Sequence, residues 1–428
     1  MAYDLMDLIR RNENTEFGRK HKFNKIRSIA DFQANVPILS YDDYAPFIER
    51  IADGDENVLT AEPVLLLEPS SGSTSASKLI PYTASLKNEF LTGLTLWLED
   101  LQKNFPTLFD GEVYFSITPP VRQSEISKGG IPIGFEGDED YLGEFGRQLK
   151  FCVPGDIKYE KNIDVFMRKT FFHLINAGDL RFISIWNPTF LIMLVEQVSN
   201  TRDLFPDLQV LSCWADGNAK PYIGKLQTMF PDVYIQPKGL LATEGIMTVP
   251  IEGVGRKITN AHFFEFLDEN GSAYLADELE AEKVYDIILT TGGGFYRYKI
   301  GDLVQYKGDG CFDFIGKSGN VSDFFGEKLN EQHVKQIIAD KGFRMLVPGD
   351  DKYVLYTETD VDANTIEQGL RENYHYDYCR NLGQLKEVEI VKIANAEKQY
   401  TANCLRFGMR LGDIKPIYLS CRKGWVFV

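Results

Sequence analysis

Apolar positions along this chain change period several times, and the changes sketch an architecture. Leu5, Leu8 and Ile9 recur at helical spacing and predict an amphipathic helix at the start. In Pro37-Ile38-Leu39-Ser40-Tyr41, Ser40 is placed to cap the helix that follows. Val64 to Leu67 is a short apolar run bounded by prolines, which suits a buried strand. Leu86, Phe90, Leu94, Trp97, Leu98 and Leu101 then hold a helical period and predict one helix over 84–101. Further on the pattern predicts a strand at Val113 to Ile117 and a buried helix at Thr189 to Val198. A strand at Leu208 to Trp214, a helix at Lys220 to Phe230 and a strand at Val233 to Gln236 follow. Strands alternating with helices imply an α/β layered fold with a partly parallel sheet. From Phe263 to Phe314 the chain shifts to short alternating strands with turns such as Asp268-Glu269-Asn270-Gly271 and Lys307-Gly308-Asp309-Gly310.

At 428 residues the chain exceeds one ordinary core. The small polar stretch Gly316-Lys317-Ser318-Gly319-Asn320 is the natural boundary, giving residues 1–316 and 317–428 as two domains. The second reads as a compact α+β unit. It has a helix from Glu331 to Asp340, a strand at Tyr353 to Thr357, a helix near Ala363 to Asn373 and a strand at Glu387 to Lys392. A composition of 44% hydrophobic and 25% charged residues is ordinary for a globular protein. The net charge of −16 argues against nucleic acid as a partner, because that affinity rests on Lys and Arg. No stretch reaches the roughly 18 apolar residues of a membrane span. The start has no basic segment followed by an apolar run, so no secretory signal is read. Cys152, Cys213, Cys311, Cys379, Cys404 and Cys421 form no CxxC pair, and five histidines complete no zinc spacing. Reduced thiols in a cytoplasmic protein are the expectation.

Four polar segments carry candidate chemistry. Pro69-Ser70-Ser71-Gly72-Ser73-Thr74-Ser75-Ala76-Ser77-Lys78 offers backbone N–H groups, hydroxyls and a terminal ammonium to a phosphate. It departs from a P-loop twice, at Ser77 and Leu79, and the bland alternative is a surface linker. Its place after a strand and before a helix favours phosphate binding. In Gly239-Leu240-Leu241-Ala242-Thr243-Glu244-Gly245, a hydroxyl and a carboxylate stand together. Mg²⁺ needs only one or two protein carboxylates beside phosphates and water, although a capped helix start reads as well. In Thr290 to Asp302, Asp302 could accept from two ribose hydroxyls and Arg297 could pair with a phosphate; a strand ending in a Gly-Asp turn is the plain reading. In Phe324-Phe325-Gly326-Glu327-Lys328, Lys328 could reach a phosphate from the second domain or simply open a charged helix.

Taken in order, these segments resemble the acyl acid amido synthetase family of the adenylate-forming superfamily. The likeness runs through Val36-Pro37-Ile38, Ser70-Ser71-Gly72 to Tyr82, Trp214 with Asp216-Gly217, and Ala242 to Gly245. It continues through Tyr296-Arg297-Tyr298 with Gly301-Asp302, and Gly326-Glu327-Lys328. The resemblance implies a large α/β adenylating domain with a β-rich end, then a small mobile α+β domain. It implies ATP and Mg²⁺, with a carboxylic acid and an amine (an amino acid) as small-molecule substrates. Ser71, Gly72, Ser73, Thr74 and Lys78 would hold phosphates, Asp216-Gly217 would lie beside adenine, and Thr243, Glu244 and Gly245 would serve phosphate and metal. Glu244 would be the metal ligand; Tyr296 and Asp302 would serve the nucleotide, Asp302 at the ribose. Lys328, Lys415 and Arg297 would be the catalytic cations. Thioester formation, or nucleotide binding with little turnover, are the alternatives. Ser75 stands where that family's loop commonly has Gly, and the chain is short for it.

Overall fold

The alternation between residues 112 and 237 closes into a parallel sheet of five strands. Their order is Lys150–Phe151, Glu112–Phe115, Leu180–Ser184, Val210–Cys213 and Tyr234–Pro237. A parallel sheet is buried on both faces, and here successive side chains divide between two cores. Val113, Phe182 and Val210 enter one core with Trp97 and Leu101 of the helix Ala84–Asn104. Tyr114, Ile183 and Leu211 enter the other with Phe166, Leu191 and Leu226 from three further helices. The computed structural model describes the chain apart from residues 1–2, 70–77, 117–124, 135–141, 161, 197, 199, 217–218, 320, 323–326, 328, 341, 382–383, 410 and 412–413. Ser70 to Ser77 of the hydroxyl-rich segment therefore lie outside the described residues.

The flanks of that segment correct one expectation. It joins Leu66–Pro69 to Leu79–Tyr82, which pair antiparallel with Leu66 opposite Tyr82 and Pro69 opposite Leu79. It thus connects two paired strands and does not lead directly into a helix. The long helix begins only at Ala84, where the Thr83 hydroxyl accepts the Leu86 N–H at 3.1 Å. Ser40 precedes Tyr41–Ala52 as expected, and the Asp43 carboxylate accepts from both the Ser40 N–H and its hydroxyl.

The β-rich stretch forms a seven-stranded antiparallel sheet. Its order is Thr248–Ile251, Gly255–Ile258, Cys311–Lys317, Tyr298–Gly308, Val284–Thr290, Phe263–Leu267 and Ala273–Tyr274. Past Lys317 the described named strands pair only with one another, as Val321–Ser322 with Leu329–Asn330 and as the sheet of Arg344–Pro348, Tyr353–Thr357 and Glu389–Lys392. One core lies wholly within this last part, around Val334, Leu355 and Leu370. Phe343, Met345, Tyr400 and Ile414 instead join the outer core of the parallel sheet.

The helix Ala84–Asn104 crosses the hairpin after the parallel sheet at unusually close range. A Cβ at Gly93 would stand 2.6 Å from Cγ2 of Ile246. Alanine improves helix propensity by about 1 kcal/mol over glycine, yet overpacking a core costs about 1–3 kcal/mol. We therefore expect Gly93→Ala to lower the urea midpoint of unfolding. Added to Ile246→Ala, the same substitution should raise it instead.

Candidate active site

A cavity of about 1270 Å³ opens where the parallel strands end. Ser116, Trp186, Trp214-Ala215-Asp216 and Lys238-Gly239 each follow one of those strands and line it. Ligands of open α/β sheets settle at this carboxyl edge, because chain leaving the sheet there diverges and leaves a crevice. A second wall is Lys299 to Val304 of the antiparallel sheet, and a third comprises Glu331, Lys335 and Lys415 from the carboxyl-terminal part.

Six residues singled out from the sequence meet here: Lys78, Asp216, Thr243, Glu244, Asp302 and Lys415. Thr243 and Glu244 are the two central residues of a hairpin turn between Leu241–Ala242 and Gly245–Ile246, so the capped-helix reading does not apply. Tyr82 donates to the Thr243 carbonyl at 2.6 Å, and Tyr298 donates to Glu244 Oε1 at 3.3 Å. His262 buttresses the turn from behind. Its Nε2 accepts the Ile246 N–H at 3.0 Å, which leaves the proton on Nδ1, 2.9 Å from Glu89. Glu89 also accepts from Tyr3 and from the Gly292 N–H, both at 2.9 Å. Gly245 does not line the cavity; a Cβ there would lie 2.9 Å from His262 Nε2, so its part is to leave room.

Asp302 is buried in the strand Tyr298–Gly308, just after Gly301 with φ +78°. Arg256 Nε lies 2.9 Å from Asp216, and the same guanidinium pairs with Asp313. Burial pushes the Asp216 carboxyl above its ordinary pKa, while Arg256 opposes the rise. Lys78 Nζ sits 5.2 Å from the Tyr41 ring, and Lys415 Nζ 4.0 Å from the Trp214 ring. Ser71, Gly72, Ser73, Thr74, Gly217 and Lys328 lie outside the described residues.

Tyr296 and Arg297 are not brought to the cavity. The Tyr296 hydroxyl donates to the Leu59 carbonyl at 3.0 Å, inside a cluster of rings from Phe17, Phe23 and Tyr44. Arg297 is buried with φ +54° and grips Glu265 through two bonds of 2.9 and 3.0 Å. Its remaining nitrogen donates to the carbonyls of Gln33 and Val36 at 3.0 and 2.8 Å. A guanidinium so committed has no reach to a phosphate, which corrects its reading as a catalytic cation.

Other cavity residues went unread in the sequence, chiefly Lys238, Arg256 and Lys335. Burial lowers the pKa of Lys335. A lysine one residue past the strand Tyr234–Pro237, at the same edge as Trp214, is the signal that could have found Lys238. Arg256 carries no comparable sequence mark. Among the described residues no group of three or more His, Cys, Asp or Glu gathers to hold a metal, and no helix is long and apolar enough to cross a membrane.

The architecture is shared with solved adenylate-forming enzymes. The acyl acid amido synthetase GH3.15, in complex with 2,4-DB, superposes with a TM-score of 0.81 at 16% identity, covering 98% of this chain and 90% of that one. A 2-hydroxyisobutyryl-CoA ligase in complex with 2-HIB-AMP and CoA gives 0.52 at 12%, over 92% and 86%. Residues 4–200 match the GH3 family N-terminal domain and residues 257–314 the GH3 family central domain. The chain belongs to the GH3 family. A jasmonoyl–L-amino acid synthetase of Nicotiana attenuata is 22% identical over 384 residues, 71% of this chain and 66% of the relative. An indole-3-acetic acid-amido synthetase of Arabidopsis thaliana is 22% identical over 480 residues, 84% and 80%. The chain thus spans 66% of the Nicotiana relative, just under two thirds.

The Arg297–Glu265 pair makes a clear prediction. Arg297→Met leaves a buried carboxylate unpaired and should cost about 3–5 kcal/mol of stability in urea unfolding. Replacing Glu265 by Met as well should restore much of it. A catalytic loss at full stability would contradict a structural role for the pair.

Proposed function

We propose that the cavity activates a carboxylic acid with ATP and then passes the acyl group to an amine, an amino acid on the example of the named relatives. The observation that carries this reading is the convergence of Lys78, Asp216, Thr243-Glu244, Asp302 and Lys415 on one cavity at the carboxyl edge of the parallel sheet. Membership of the GH3 family supports it from a separate side.

In the first half-reaction a carboxylate oxygen attacks the α-phosphorus of ATP. The bond to the bridging oxygen breaks, and pyrophosphate leaves. Alignment of oxygen with phosphorus and neutralisation of charge are the work left to the protein. Asp302 accepts from the ribose hydroxyls, and Asp216, steadied by Arg256 and followed by Gly217, borders the adenine. Ser71, Gly72, Ser73, Thr74 and Lys78 hold the phosphates, joined by the Thr243 hydroxyl. Glu244 is the residue to hold Mg²⁺: a carboxylate at a turn on the cavity wall suits an ion that completes its shell with phosphate and water. Bound there, the ion supplies neutralisation of phosphate charge. Lys415, over Trp214, puts an ammonium beside the reacting groups. In the second half-reaction the amine nitrogen attacks the acyl carbon, the bond to AMP breaks, and the amine gives up a proton. Residues 317–428 act as a mobile domain that rotates between the two steps and brings Lys328 to the phosphate. The net charge of −16 supports small-molecule partners over nucleic acid. Six cysteines that form no disulfide support a cytoplasmic setting.

Exchange of labelled pyrophosphate into ATP across a panel of acids tests the reading. We expect acid-dependent, Mg²⁺-dependent exchange, and hydroxamate when hydroxylamine is the acceptor. Measurable ATP binding with no exchange for any acid would defeat it. Asp302→Ala should raise KM for ATP roughly 100-fold, since two hydrogen bonds to a charged group are each worth about 1.5 kcal/mol or more.

A further inference from the structure

The proposed half-reactions assign no role to Lys238, yet it lines the same cavity. It stands one residue past the edge strand of the parallel sheet. Its Nζ donates to the Ser184 hydroxyl at 2.6 Å and lies 4.6 Å from the ring centre of Trp97 and 5.0 Å from that of Trp186. Trp186 packs against Trp214 at 5.7 Å, and Lys415 sits over Trp214. The cavity therefore holds a continuous row of contacts, Trp97 to Lys238 to Trp186 to Trp214 to Lys415. An ammonium lies near each end of the Trp186–Trp214 pair.

Setting a lysine between indole rings strips part of its hydration, and cation–π attraction restores only a fraction. Cavities built for small molecules place a few polar groups in an otherwise apolar wall, and those groups fix orientation and choice. Apolar residues Leu94 and Phe115 also line the cavity, and Phe115 packs edge-on against Trp97 at 6.4 Å. In the acid-activating reading Lys415 stands beside the reacting groups. The hydroxyl of Ser184 accepts from Lys238 and keeps its own proton to donate. Lys238 and Ser184 thus place an ammonium and a hydroxyl at a point one aromatic pair removed from Lys415.

Resting on the acid-activating reading, we propose that Lys238 and Ser184 recognise the acid. The substrate is a planar aromatic acid that carries a second oxygen acceptor, a ring hydroxyl or a second carboxylate, remote from the carboxylate that reacts. Its ring lies along Trp186 and Trp214, and the second oxygen accepts from Lys238. A lysine that only braced Trp97 and Trp186 would make no distinction between such an acid and its bare parent.

Equilibrium binding to the full chain, read by intrinsic tryptophan fluorescence, tests this with benzoate and its 3- and 4-hydroxy and 3- and 4-carboxy derivatives. At least one derivative should bind about 10-fold or more tighter than benzoate, because a site built to hydrogen-bond an oxygen discriminates against analogues lacking it. The hydroxy and carboxy arms tell which oxygen is read. Lys238→Met should abolish the preference ratio, Ser184→Ala should reduce it, and Lys238→Arg should keep part of it. Equal binding of benzoate and all derivatives to the native chain, or no binding of any, overturns the inference. So does a ratio that neither Lys238→Met nor Ser184→Ala moves; if Lys238→Met does not fold, Ser184→Ala decides. Pyrophosphate exchange with the same acids separates the two readings. Exchange absent alongside a Lys238-dependent binding preference sinks acid activation and keeps the subsite, whereas exchange with an unmoved ratio sinks the subsite alone.

Discussion

A parallel sheet cannot face water, and this requirement shapes the whole molecule. Val113, Phe182 and Val210 on one face, and Tyr114, Ile183 and Leu211 on the other, demand cover that the helices supply. Cover of the faces leaves the carboxyl edge open. Beyond that edge the chain reaches a helix after Leu180–Ser184, another after Val210–Cys213 and a hairpin after Tyr234–Pro237, and the cavity lies beside these turns. The position of the site is thus a product of sheet packing, prior to any particular side chain.

Within that frame a partly buried polar hub sets the finer geometry. Glu89, on the long helix, gathers Tyr3 near the amino terminus, His262 beside the antiparallel sheet and the Gly292 N–H. Through His262 it reaches the backbone two residues after Glu244. Buried polar groups are costly when partly satisfied and orienting when fully satisfied. Four segments distant in sequence are therefore tied to the turn that carries Thr243 and Glu244. Arg297 and Glu265 tie the carbonyls of Gln33 and Val36 to the antiparallel sheet in the same manner.

What the sequence disclosed followed the strength of its periodicity. The helix over 84–101 is present as Ala84–Asn104, and the strand at Tyr353 to Thr357 has those very ends, because one-sided burial writes a clear period. The run from Leu180 to Val195 is apolar almost throughout, so the strand Leu180–Ser184 was lost beside the helix Pro188–Val195. The strand Leu79–Tyr82 was hidden by Pro81, a residue that a sheet tolerates at an edge, and this strand is an edge. Asp302 and Glu244 are singled out by the order of the segments and the family resemblance, because the local pattern of each also fits a plain turn or cap. Arg297 could not be placed, since its partner Glu265 lies 32 residues away and only the folded sheet brings the two together. Arg256 was silent for the same reason.

The outer core belongs to two parts of the chain at once. Phe343, Met345, Tyr400 and Ile414 share it with the parallel sheet and its helices, and the Asn187 side chain donates to the Ile414 carbonyl just before Lys415. Were the carboxyl-terminal residues to leave this seat, apolar surface would be wetted and Lys415 would part from Trp214 in one movement. Hydration of such surface carries a large positive heat capacity, so the hold it exerts weakens on cooling. The ammonium of Lys415 over Trp214 thus rests on an apolar seam, and the electrostatics of the cavity depend on the solvation of that seam.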